Sequence, residues 1–306
     1  MRPLALLTDV SDLDPRPAVD LLTQAGFDVE VLELDVNPAV PESARRAVAA
    51  VGGYAHLGEE FFAQVPDLKF VALTSAGADM VDLQAAERHG VQIQPLLGAA
   101  TEEVAAHALA LVLAVERGLR VTEQVAAGAW SEAYQHMPRR LSSCTVGVLG
   151  LGRIGAEFAR LAQPLFGRVI GYDPYVPAPD GVLPVSFDEL ISASDVLSVH
   201  MPLSDETRAL LGPVQLREMP PGASLINVSR AEIIDQQALL AALDEGRLRG
   251  AGLDVLTGEP PALDDPLRNH PRTVVTPHVG YLSQGSLTVY QEQPARTIVH
   301  WWNSRP

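Results

Sequence analysis

Short apolar runs recur in the first hundred residues, at 4–7, 29–32, 70–73 and 91–93, and between them apolar residues return with helical spacing, as over 14–25 and 81–89. Short strands alternating with amphipathic helices predict a parallel sheet covered by helices. From Thr101 the pattern changes to a long helix. Thr101 can cap it, Glu102 and Glu103 suit the positive end of its dipole, and Gly128 offers a stop. Its apolar stretch, 104–115, contains His107 and is shorter than the roughly 20 residues a bilayer requires. It predicts a buried helix and the crossing into a second domain.

After a polar stretch around 131–143 the alternation resumes, with strand-like segments at 145–149, 168–172, 196–200, 224–228, 250–255 and 273–276. Helical segments separate most of them. Six such strands make a complete doubly wound dinucleotide fold. Residues 279–306 carry Trp301 and Trp302 at a helical end and are expected to return to the first domain. The two halves share a related α/β plan, with hinges expected at 95–100 and 279–283.

A chain of 306 residues accommodates two such domains, and 47% hydrophobic residues suffice to fill both cores. With 38 acidic against 22 basic side chains the formal charge is -16, which argues against nucleic acid or an anionic membrane as partner. An anionic substrate would therefore need a local positive pocket. The single cysteine, Cys144, cannot form an intrachain disulfide, and the first residues lack the apolar core of a secretory signal. Both features lead to a cytoplasmic expectation. No pair or triplet of histidines has metal-ligand spacing, so no metal is predicted.

The segment Val148-Leu149-Gly150-Leu151-Gly152-Arg153-Ile154-Gly155 contains G-x-G-x-x-G, a weak signal taken alone. Here it follows a strand and opens an apolar-faced helix. At such a turn the glycines let the backbone approach a pyrophosphate, and the helix N-terminus adds N–H donors and partial positive charge. The next strand ends about 20 residues later in Asp173, whose carboxylate can accept hydrogen bonds from an adenosine ribose. Pro174-Tyr175-Val176 follows it, with no adjacent cation for a 2′-phosphate, and NAD is expected over NADP. A plain strand-end capping role for Asp173 would leave that preference open.

Three further motifs suit a reaction at a carbonyl, which needs a proton donor and a cation to hold or polarise the substrate. Asn227-Val228-Ser229-Arg230 places an arginine past a strand's carboxyl end, Gly252-Leu253-Asp254-Val255 runs on to Glu259-Pro260, and Thr276-Pro277-His278 ends a strand in a histidine. With these motifs nearly the whole chain resembles the NAD-dependent D-isomer-specific 2-hydroxyacid dehydrogenases. The resemblance implies a Rossmann NAD-binding domain (99–281) inserted in a flavodoxin-like substrate-binding domain (1–98 and 282–306). It implies Arg230 as the substrate-orienting cation, Glu259 as the acid and His278 as the catalytic acid/base, with Asp254 on the nicotinamide side. Ser75, Ala76 and Gly77 would hold the substrate carboxylate through backbone N–H groups. Arg153, Ile154, Pro202 and Thr207 are expected to join the glycines around the cofactor, and Tyr281 to line the substrate pocket. A homodimer built on the helix from Thr101 is expected as well.

The residue chemistry fits these roles. A carboxylate at Glu259 would favour the protonated imidazole of His278, which could then protonate a developing alkoxide. Arg230 can pair with a carboxylate in a planar geometry that a lysine lacks. His107 and His200 are expected in packing or cofactor-edge roles. The chain departs from the family pattern in having Ala231 where glycine is usual, and, over 98–107, in lacking the usual asparagine and in having Ala106 where a glutamate usually precedes the histidine. Glu259 argues against a formate dehydrogenase, and Ala76 against a phosphite dehydrogenase, which carries lysine there; Lys69 is the only lysine. A phosphorylated substrate would want extra cations, and neither 75–79 nor 96–101 offers them. The reading is therefore hydride transfer between NAD(H) and a small D-2-hydroxy acid or 2-oxo acid. The alternative is a non-catalytic NAD-sensing protein of the same fold.

Overall fold

The computed structural model describes residues 2–9, 13–34, 39–130 and 137–305. The polar stretch expected from 131 lies outside the described residues as far as 136. The chain divides into two units, Met1–Ala99 with Ser283–Pro306, and Ala100–Leu282. Both boundaries fall inside the segments expected to act as hinges.

The first unit is built on five parallel strands: β1 (Leu4–Leu7), β2 (Asp28–Val31), β3 (Ala47–Gly52), β4 (Phe70–Leu73) and β5 (Gln92–Gln94). Their spatial order, β2-β1-β3-β4-β5, is the flavodoxin-like one. Strand β3 was not expected. Its sequence, AVAAVG, is mostly alanine, a weak signal for a strand, yet five of its six residues are buried. Helices α1 (Arg16–Gln24), α2 (Glu59–Gln64) and α3 (Leu83–Arg88) accompany the sheet. The chain's last helix, Gln284–Asn303, completes this unit. Trp301 stacks on Phe70 with ring centres 4.8 Å apart, and Trp302 meets the edge of Phe27 at 5.2 Å. These rings seal one face of the sheet.

The second unit opens with α4 (Thr101–Glu116) and α5 (Val121–Ala126). The single helix expected over 101–128 is thus two. Gly118 (φ 62°) takes the left-handed turn after α4, and Gly128 (φ 102°) ends only α5. Thr101 does not cap: Ala100 holds the N-cap position without a side-chain hydrogen bond, while Glu102 and Glu103 do lie in the first turn. Ala105, Ala108, Leu111, Val112 and Val115 form the buried face of α4.

Seven parallel strands follow: β6 (Thr145–Leu149), β7 (Arg168–Tyr172), β8 (Leu183–Pro184), β9 (Val196–Val199), β10 (Ala223–Asn227), β11 (Leu248–Leu253) and β12 (Thr273–Val275). They lie in the order β12-β11-β10-β9-β6-β7-β8, a doubly wound Rossmann sheet with one strand beyond six. The additional strand, β8, has two residues, both exposed, too little apolar surface to announce itself in the sequence. Helices α6 (Arg153–Ala162), α7 (Phe187–Ala193), α8 (Pro213–Glu218), α9 (Gln236–Asp244) and α10 (Pro266–Asn269) connect the strands. The chain's last helix is accordingly α11. Because all seven strands are parallel, every strand-to-helix turn of this unit opens on one edge of the sheet. The order reverses at β6, where a doubly wound sheet leaves its crevice.

No helix among the described residues is long and apolar enough to cross a membrane.

Candidate active site

The glycine turn sits at that reversal, after β6. Gly150 has φ 95°, and a Cβ there would lie 2.8 Å from the His200 carbonyl. Gly155 allows α6 to close on the turn, since its Cβ would lie 1.9 Å from the Gly150 oxygen. Gly152 differs: a Cβ on it would meet no atom within 4 Å, and as the N-cap of α6 it brings no side-chain cap. The first N–H groups of α6, at Arg153 and Ile154, thus lie beside bare backbone. That is the cradle a pyrophosphate requires.

Asp173 follows β7 and reaches back to this turn. One carboxylate oxygen accepts from Leu151 N at 2.8 Å, the other from Tyr175 N at 2.8 Å and Val176 N at 2.9 Å. The strand-end capping contacts are therefore present, and they tie the glycine turn to the neighbouring strand. After β9, the buried Thr207 hydroxyl donates to Pro202 O at 2.7 Å and accepts from Ser204 N at 2.8 Å, fixing the 202–207 loop. His200 lies beneath the glycine turn. Its Nε2 faces Ser198 Oγ at 2.8 Å, its ring lies 4.9 Å from that of Phe158, and its Nδ1 is sealed in without a partner. Burial pushes its pKa down to about 3, so the ring is neutral.

The next three strands, β10, β11 and β12, are neighbours, and each delivers one of the later motifs to the same edge. Past β10, the buried Asn227 accepts from Ser229 N at 3.0 Å and donates to Arg230 O at 2.8 Å, folding N-x-x-R into a tight turn. Ser229 Oγ ties that turn to Val199 O of β9 at 3.0 Å. The Arg230 guanidinium donates to Ser229 O at 2.9 Å. Ala231 opens a right-handed 3-10 turn, Ala231–Ile233, where a Cβ is tolerated and glycine is not needed.

Past β12, His278 holds a left-handed backbone, φ 53°, unusual for a residue with a Cβ and characteristic of functional sites. Its N–H donates to Asp254 O at 2.8 Å and Thr276 O at 3.0 Å. The side chain donates through Nδ1 to Glu259 Oε2 at 2.7 Å, while Glu259 Oε1 accepts from Leu256 N at 3.0 Å. A carboxylate with one oxygen on the backbone and the other on the ring fixes the imidazole's orientation. Nε2 is then the nitrogen available for proton transfer. A cavity of about 600 Å³ borders this pair, lined also by Arg120, Leu256, Arg268 and Val275. These two arginines are cations that the sequence did not place near the site.

Asp254, past β11, is 2% exposed. Its Oδ1 accepts from Thr276 Oγ1 at 2.6 Å and Val279 N at 3.0 Å, its Oδ2 from Gly280 N at 2.8 Å. His107, on α4, brings Nε2 within 2.9 Å of Thr276 Oγ1 and 3.2 Å of Asp254 Oδ1. Burial by itself would raise the Asp254 pKa, but hydrogen bonds from His107, Thr276 and Gly280 outweigh it and hold the carboxyl below the usual range. Asp254, expected on the nicotinamide side, thus anchors the turn that carries His278. Thr276 had no assigned role in the sequence; its position two residues before His278 was the available signal.

Ser75, Ala76 and Gly77 belong to the first unit, in the loop after β4, where Ser75 Oγ donates to Gly77 O at 2.6 Å and Ser75 O accepts from Leu96 N at 2.9 Å. Arg230, Glu259, His278 and Tyr281 belong to the second. Among the described residues no group of three or more His, Cys, Asp or Glu is placed to hold a metal ion.

Residues 109–280 match the NAD binding domain of the D-isomer specific 2-hydroxyacid dehydrogenases. The chain is 34% identical over 268 residues to a D-3-phosphoglycerate dehydrogenase of Archaeoglobus fulgidus, an alignment covering 86% of this chain and 51% of that protein. It therefore spans about half that relative's length. A glyoxylate reductase of Korarchaeum cryptofilum is 36% identical over 251 residues, with 78% of this chain and 75% of the reductase covered. The crystal structure of an Aquifex aeolicus D-lactate dehydrogenase complexed with NAD and lactic acid superposes with a TM-score of 0.88 at 27% identity, over 98% of this chain and 95% of that one.

Proposed function

The chain belongs to the D-isomer specific 2-hydroxyacid dehydrogenases, and on that premise we propose that it transfers a hydride between NAD(H) and a small 2-oxo acid or D-2-hydroxy acid, with His278 as acid/base. The observation that carries the reading is the 2.7 Å pairing of His278 with Glu259 on a left-handed turn, at the sheet edge that also receives Arg230.

Gly150, Gly152 and Gly155, with Arg153 and Ile154 at the start of α6, hold the pyrophosphate. Asp173 serves the ribose, and Pro202 and Thr207 shape the adjoining loop. The nicotinamide, when bound, supplies or accepts the hydride. During reduction His278 passes its Nε2 proton to the carbonyl oxygen of the substrate, and Glu259 stabilises the imidazolium before that transfer and restores the ring's orientation after it. Arg230 pairs with the substrate carboxylate and draws electron density from the carbonyl. In the oxidative direction His278 takes the hydroxyl proton. Relatives named as glyoxylate reductase, D-lactate dehydrogenase and D-3-phosphoglycerate dehydrogenase support a 2-oxo or 2-hydroxy acid as the substrate class.

The test is the decay of NADH absorbance with glyoxylate, pyruvate, hydroxypyruvate, a branched-chain and an aromatic 2-oxo acid, with NADPH in parallel. Turnover with at least one acid, and faster with NADH than NADPH, is expected. His278→Ala should lose about 100-fold or more in kcat while NADH still binds, the scale of a lost general acid. NADH binding without turnover of any acid would overturn the reading.

A further inference from the structure

We propose that His107 is a positioning residue for His278, acting from α4 through Thr276 and Asp254 on the turn that carries the acid/base. The inference rests on the hydride-transfer reading above and concerns a residue whose hydrogen bonds run to Thr276 and Asp254.

Proton accounting fixes the direction of the relay. The Asp254 carboxylate has no proton to give, so at 2.6 Å the Thr276 hydroxyl must donate to it. Having used its one hydrogen, Thr276 Oγ1 can only accept from His107 Nε2, 2.9 Å away. His107 therefore carries a proton on Nε2, and the same N–H also faces Asp254 Oδ1 at 3.2 Å. Asp254 in turn receives the N–H groups of Val279 and Gly280 on its side chain and that of His278 on its main chain. Three consecutive residues of the turn thus hang on one aspartate whose orientation His107 and Thr276 set.

The packing leaves little slack. A Cβ on Gly280 would lie 2.8 Å from Asp254 Oδ2 and 3.4 Å from the His107 ring, so the turn closes directly against the pair. His278 sits in a backbone region that its own preference does not maintain, φ 53°, so its geometry depends on these surrounding bonds. Removing the donor at His107 leaves Thr276 Oγ1 an unsatisfied acceptor and frees the Thr276 side chain to rotate away from Asp254. The sensitive quantity is the placement of the His278 ring, since misplacement by about 1 Å can cost up to 100-fold in rate.

The experiment compares His107→Leu, His107→Gln and Thr276→Val in the full chain. Glutamine can present an N–H near the position of Nε2, and leucine cannot. Expected results are a loss of about 10-fold or more in kcat for His107→Leu with KM and NADH affinity nearly unchanged, most of that loss recovered in His107→Gln, and no additional loss when Thr276→Val is combined with His107→Leu. Equal activity of the leucine and wild-type proteins, no advantage of glutamine over leucine, or additive losses in the double variant would each overturn the proposal. A readout independent of turnover separates its failure from that of the functional reading. In 15N-labelled wild-type protein, long-range imidazole correlations should show His107 protonated on Nε2, and a bare Nε2 would overturn the relay even if the enzyme proved active.

Discussion

At Gly155 a single methyl group decides whether the glycine turn can close. A Cβ there would lie 1.9 Å from the Gly150 oxygen, a backbone atom that no rotamer change can move aside. Gly155→Ala should therefore push α6 away from β6, lowering both thermal stability and NADH affinity, whereas Gly152→Ala, whose Cβ meets nothing, should weaken NADH binding without destabilising the protein. Equal melting temperatures for the two variants would contradict this division of roles. His200, next to the same turn, gives a pH signature. Its folded-state pKa is depressed from 6.5 to about 3, so above pH 6.5 both native and unfolded chains leave it neutral and its stability is fully present. As pH falls below 6.5 the unfolded chain takes up a proton that the native state refuses, and stability drops by up to about 1.4 kcal/mol per pH unit until roughly pH 3. Urea unfolding between pH 7 and 4 should show this slope in the wild type and a shallower one in His200→Phe; identical slopes would place the burial penalty elsewhere.

Among the elements, the end of α4 is tied to the amino ends of β6, β9 and β10, the edge opposite the candidate site. The buried Glu116 accepts from Arg139 Nε at 2.9 Å, Arg139 Nη2 at 2.6 Å and Ser224 Oγ at 2.5 Å. Arg139 also donates to Asp195 O at 3.0 Å, and Asp195 Oδ2 accepts from Thr145 N at 2.8 Å. Burial alone would lower the Arg139 pKa, but the hydrogen bonds and charge of Glu116 outweigh it and raise it. Arg139→Leu strands a buried carboxylate and should cost about 3–5 kcal/mol, while Glu116→Leu combined with Arg139→Leu should regain much of that loss. A double variant no more stable than Arg139→Leu alone would sink the idea. None of this clasp was legible in the sequence, because Glu116 and Ser224 are 108 residues apart. The relay from His107 to Thr276 spans 169 residues and was hidden for the same reason. What pattern could reveal was local: strands with bulky apolar side chains, the glycine turn, and motifs in which spacing itself carries the chemistry. Alanine-rich β3 lacked that contrast, and the break after α4 rested on Gly118, one of two glycines in 101–128, the other being the Gly128 expected to end the helix.

At the scale of the whole molecule, the second unit is one uninterrupted segment, whereas the first is assembled from two separated ones. Each unit has its own cores. Leu149, Leu197, Leu225 and Leu253 belong to one cluster of the second unit, and Leu111, Val148, Phe158 and Ile226 to another. Leu6, Phe62 and Val71 belong to one cluster of the first unit, and Leu7, Phe27 and Ile298 to another. A continuous segment of this size with filled cores and a complete doubly wound sheet meets the requirements for independent folding. Residues 100–282 expressed alone should unfold in a single cooperative transition and bind NADH in a calorimeter, because the glycine turn, Asp173 and the 202–207 loop all lie within them. The same fragment should not reduce 2-oxo acids at an appreciable rate if Ser75–Gly77 of the first unit serve the substrate as the family resemblance implies. A fragment that folds but fails to bind NADH would overturn the assignment of the cofactor to this unit's own residues. One that binds NADH and turns over substrate at the full-length rate would instead remove the first-unit loop from the reaction and leave Arg230 as the principal hold on the carboxylate.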